Sequence, residues 1–79
     1  MDAKTARDTL VKPKLLEIFG PTMGSSLLTA AISAGMKGSD EKDKFSRMVE
    51  AICTDPRVVG MWGAAQASQQ KQAWLRAGP

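Results

Sequence analysis

Covalent chemistry in this chain would have to begin at Cys53, the only thiol in a sequence with no histidine and no tyrosine. Without those two side chains, a hydrolytic site would need a Ser–Lys pair, a Cys–Asp pair or two carboxylates. Cys53 sits at the edge of an apolar stripe, near the end of a helix predicted over 40–53. The negative end of the helix dipole disfavours a thiolate, so the position predicts a buried, inert thiol. Asp40, Glu41 and Asp43 have metal-ligand chemistry but lack the glycine and the later glutamate of a calcium loop. Three acids in a first helical turn are explained by the positive end of the dipole. Gly35-Met36-Lys37-Gly38-Ser39 could expose N–H groups to a phosphate. No Gly-Lys-Ser/Thr follows at P-loop spacing, and the acids that come next would repel the anion. The sequence therefore predicts no catalytic residue, no metal ligand and no cofactor, and a function that is not enzymatic.

The elements around these residues are helical. Phe45, Met48, Val49 and Ile52 stand at i, i+3, i+4 and i+7, within roughly 100° of a helical wheel. Lys44, Arg47 and Glu50 fall outside that stripe. Ser39 reads as its N-cap, and Gly38 as the C-terminal glycine of the helix before it. Thr54-Asp55-Pro56 then supplies a stop and a restart: Asp55 as a cap, Pro56 at a first helical position that needs no N–H.

Upstream, residues 2–19 carry helical apolar spacing interrupted at Pro13, which removes a backbone donor and disfavours the helical region at Lys12. The reading is a flexible arm over about the first five residues, with a kink at 12–13 left open. Gly20-Pro21 ends the segment, and Thr22 is a plausible cap for a helix to Met36. That helix has no charged residue, which predicts a central place with neighbours on two or more sides. Ala31 and Gly35, four apart, would let another backbone come close. The longest uncharged run, Ile18 to Met36, is a poor membrane span. A helix beginning after Pro21 would be about 15 residues, or ~22 Å, against a ~30 Å hydrocarbon core.

The expected fold is therefore all-α: one domain over 1–79, four helices near 3–19, 22–36, 40–53 and 56–76. A chain this short buries only about 60% of its unfolded surface. Neither a disulfide nor a zinc site is open to it, so self-association or a partner is the remaining support. The net charge of +3 is mild. Its acids concentrate in 40–55, whereas 56–79 holds Arg57, Lys71 and Arg76 with no acid. That polarity suits head-to-tail protein contacts at least as well as phosphate binding. The polar start and the lone thiol place the chain in the cytoplasm, with no membrane partner.

Two functional readings remain. Ala31 and Gly35 followed by Phe45-Ser46-Arg47-Met48 loosely resemble the alanine–glycine spacing and second helix of the DNA-binding helix-turn-helix. The resemblance covers fewer than 25 residues. It implies a DNA-binding regulator, but its turn is about four residues too long and its second helix is net acidic, so nucleic acid is disfavoured. The preferred reading is a small interaction or regulatory module, contacting a protein partner or a second copy of itself. Its contacts come from the last helix, through Trp74, Leu75, Arg76 and Lys71. From Gln66 to Gln72 that helix has little to bury. On one helical wheel Trp62 and Trp74 lie about 120° apart, too far round to share one flat core. The alternative is that Trp74 folds back over Leu10, Leu15 or Phe19 and closes the bundle.

Overall fold

The chain is an all-α bundle. The structure, a computed structural model, describes residues 1–79. Its straight segments are α1 (residues 3–19), α2 (residues 21–35), α3 (Glu41–Cys53), α4 (Pro56–Trp62) and α5 (Ala64–Ala77). The expected boundaries hold to within a residue or two, apart from a division of the last helix.

The first residues are not a flexible arm. Asp2 caps α1 by accepting the Thr5 N–H at 2.7 Å, and Ala3 and Ala6 are buried. The Ala3 N–H donates to Glu41 Oε1 at 2.9 Å, tying this end to α3. Pro13 does not stop the helix either. A π-helical turn over Arg7–Val11, in which the Lys12 N–H reaches the Arg7 carbonyl, precedes the proline. The wider turn carries the helix through a ring that would otherwise crowd the preceding turn.

Between α1 and α2 the backbone breaks at Gly20, with φ of 81° and ψ of 172°. Such backbone is open essentially to glycine alone. Pro21 then opens α2 at the position where its missing N–H costs nothing. The run Ala3–Gly35 is long and apolar enough, by length and composition, to cross a membrane. The break at Gly20 leaves α2 as its only straight uncharged piece, ~22 Å long against a ~30 Å core.

α2 is not central. Leu27, Leu28 and Ala31 face the core with Gly24 and Gly35, whereas Met23 and Ile32 are exposed. The close approach expected at Ala31 and Gly35 is present. A Cβ added at Gly35 would lie 2.6 Å from Met48 Cε, so α3 packs directly on that glycine. The cap of α3 shifts by one residue: Asp40, not Ser39, accepts the Asp43 N–H at 2.7 Å. Asp43 returns the bond by accepting the Ser39 N–H at 2.9 Å. Gly38 is no left-handed cap. It is small because a Cβ there would sit 2.6 Å from the Lys44 backbone nitrogen.

The Phe45–Ile52 stripe forms the centre of the core: Phe45, Met48, Val49 and Ile52 are all buried, with Leu15, Leu27 and Val58 against them. Asp55 caps α4 by accepting the Arg57 N–H at 2.9 Å, and Pro56 follows at the first position, as expected.

Gly63, with φ of 83° and ψ of 155°, divides the last helix. Its positive φ resets the helical phase, so α5 turns back with a new face towards the core. Trp74 is thereby buried in the core, with its ring centroid 6.3 Å from that of Trp62. Trp62 in turn lies 5.7 Å from Phe19. The 120° separation holds only for one unbroken helix.

Candidate functional site

No polar or charged residue is buried, and no group of three or more histidine, cysteine or acidic side chains is placed to hold a metal ion. The acids at the start of α3 act as caps and ion-pair partners. Asp43 Oδ2 takes the Ser39 N–H and the Arg47 guanidinium, the latter at 3.1 Å. Glu41 takes the Ala3 N–H and the Lys44 ammonium. Those hydrogen bonds hold both carboxyls below the usual carboxylate range. Cys53 is buried, and desolvation pushes its thiol up to about 11. A thiol held neutral in this way is a poor nucleophile at physiological pH.

The residues expected to bind a partner are not gathered on one surface. Trp74 is in the core, Leu75 is half-buried against it and Arg76 is exposed. Lys71 donates to Glu50 Oε2 on α3. One base of the C-terminal helix is therefore paired with an acid of α3 in the same chain, and the polarity read from the sequence is partly compensated internally. The outer face of α5 carries Ala65, Ser68, Gln69 and Gln72, polar or small side chains without an apolar anchor. An exposed apolar tip at Trp74 does not exist in this fold.

The helix-turn-helix resemblance lands on α2, the connection Met36–Asp40 and α3. The two cations it would need on α3, Lys44 and Arg47, are ion-paired with Glu41 and Asp43 at 3.1 Å each. Both remain at the surface, where such pairs are weak, but the acids beside them lower the local positive potential.

The surface that sequence reasoning missed is the outer face of α2. From Ile32 through Ser25, Thr29 and Ser33 to Ala30 and Met23 runs an arc of roughly 180°. Every residue on it is exposed, and none is charged. Arg57, held by Asp55, reaches into the arc by donating to Ser26 Oγ at 2.9 Å, since Ser26 lies between Ser33 and Ala30 on the wheel. Thr29 Oγ1 donates to the Ser25 carbonyl at 3.0 Å. Lack of charge on a helix does not by itself mean burial: small hydroxyl residues suit an exposed face as well as a core.

Comparison with protein-family models, curated proteins and solved structures gives no match to this chain.

Proposed function

We propose that this chain is a non-enzymatic helical interaction module that works by pairing with a second copy of itself through the outer face of α2. One observation carries the reading: half the circumference of α2 is solvent-exposed and wholly uncharged, while Met23 and Ile32 remain 39% and 39% exposed at its edges. Met23 and Ile32 are apolar side chains left in water on either side of a strip of small residues, surface that a contact would bury. A second copy fits better than a highly charged partner because the one charge that reaches the face, Arg57, is already paired with Asp55. Serine, threonine and alanine at the centre allow two helices to approach closely.

The pairing is weak. A standard interface uses about 20–30 residues a side, and one helix face supplies fewer, so Kd falls on the order of 10–100 µM. Thr29 lies near the middle of α2, hence near the two-fold axis of an antiparallel pair. Thr29→Glu and Thr29→Lys should each be monomeric with an unchanged melt, and mixing them should restore a dimer. Variants that keep the wild-type mass, or a wild-type chain that is monomeric at millimolar concentration, overturn the reading. Loss of a mixed dimer alone would move the axis away from Thr29 and contradict the antiparallel geometry.

A further inference from the structure

One groove lies between the start of α1, the end of α2 and α3, with a volume of about 410 Å³. That is within the range of small-molecule sites, about 300–1,000 Å³. Its deepest lining is apolar, the buried Ala3, Gly35 and Met48, and Ile32 and Met36, 39% and 79% exposed, extend that lining up to the surface. Its rim carries Lys4, Arg7 and Lys44.

These cations are not equally spent. Lys44 is tied to Glu41 at 3.1 Å. Arg7 gives only its Nε to Asp8, at 3.0 Å, and both terminal guanidinium nitrogens are without a protein partner. Lys4 makes no ion pair. Glu41, the one acid on the rim, has both carboxylate oxygens engaged, one by the Ala3 N–H and one by Lys44. Counting each pair as neutral leaves a single positive charge beside an apolar trough.

We infer that this groove binds a free single-chain amphiphilic monoanion, an alkyl carboxylate whose chain lies on Ile32, Met36 and Met48 and whose head meets Lys4 and the open edge of Arg7. Charge complementarity selects the head and the apolar floor selects the chain. Arg7 suits a carboxylate because its two free nitrogens form a planar fork. Its side chain is only 15% exposed, so it is held in place before the ligand arrives. The inference goes beyond self-pairing and does not need it: of the groove residues on α2, Ile32 alone also belongs to the exposed arc, and Lys4, Arg7 and Met48 lie on α1 and α3.

The five methionines give a local readout. Methyl-labelled methionine NMR at neutral pH, with dodecanoate added below its micellar concentration, should show saturable shifts at Met36 and Met48. Met23 and Met61, away from the groove, should stay put. The same titration on monomeric Thr29→Glu should give the same shifts, which separates this site from the dimer face. Lys4→Glu combined with Arg7→Glu should weaken binding by about tenfold or more. Dodecyltrimethylammonium, with the same chain and the opposite head, should bind equally weakly to wild type.

Four results would overturn the inference: no saturable shift up to about 1 mM, shifts spread evenly over all five methyls, equal affinity for the cationic amphiphile, or charge reversals without effect. Shifts produced by anionic phosphatidylglycerol vesicles but not by free dodecanoate would also overturn it, in favour of a bilayer surface. Should Lys4→Glu/Arg7→Glu disturb the fold, visible as displaced Met23 and Met61 resonances, Lys4→Gln alone, away from any ion pair, carries the same test.

Discussion

Gly60 and Gly63 stand three residues apart and should respond to alanine in opposite directions. Gly60 is inside α4, exposed, with nothing within 4 Å of an added Cβ. Alanine there should stabilise by ~0.8–1 kcal/mol through helix propensity alone. Gly63 holds φ of 83°, and an L side chain in that backbone costs ~1–3 kcal/mol. Urea melts of the two variants check this directly; shifts of the same sign would contradict the break at Gly63. In the core, Phe45→Ala or Ile52→Ala should cost ~2–5 kcal/mol, since both side chains are essentially fully buried. Cys53 supplies a chemical probe of the same interior. Its alkylation at neutral pH should be slow in the folded protein and fast in denaturant, and rapid labelling of the native state would place the thiol at the surface.

Among the elements, α3 was the most legible. Its stripe, the acidic first turn and the Asp55-Pro56 restart are all local signals that the fold obeys. Three features were not legible, each for a physical reason. The docking of the first turn depends on Glu41 meeting the Ala3 N–H across 38 residues of chain, a contact no local pattern encodes. The π turn before Pro13 is a backbone solution to a clash that a sequence pattern reads simply as a break. Trp74 stays open between core and contact surface on the sequence alone, because wheel arithmetic presumes one continuous helix and a single positive φ at Gly63 voids it; the structure settles it in the core.

The caps also set a pH response. Asp2, Glu41, Asp43 and Asp55 are all held below the ordinary carboxylate range, Asp2 by Thr5, Glu41 by Ala3 and Lys44, Asp43 by Ser39 and Arg47, and Asp55 by Arg57. Each therefore titrates lower in the folded chain than in the unfolded one. Their contribution is complete above the unfolded values, about pH 4, and is lost as pH falls through the folded ones. The melting temperature should be nearly flat from neutral pH down to about pH 5 and should drop on further acidification. A melting temperature that rises on acidification through that window would contradict the cap assignments.

At the scale of the whole molecule, the burial of Trp74 changes what the C-terminus does. Removing residues 73–79 should unfold the monomer or destabilise it by ~3–5 kcal/mol, as expected for loss of a core tryptophan. Under the proposed pairing, contacts rest on the outer face of α2, which carries no charged residue of its own. The most direct measurement is sedimentation equilibrium of the full chain across micromolar to millimolar concentration, beside Thr29→Glu under the same conditions. Pairing through α2 predicts a wild-type mass that climbs with concentration from 8.5 kDa towards twice that value, and a Thr29→Glu mass that stays at the monomer throughout. A wild type that remains at the monomer mass over the whole range, or a variant that climbs in parallel with it, would contradict pairing through α2.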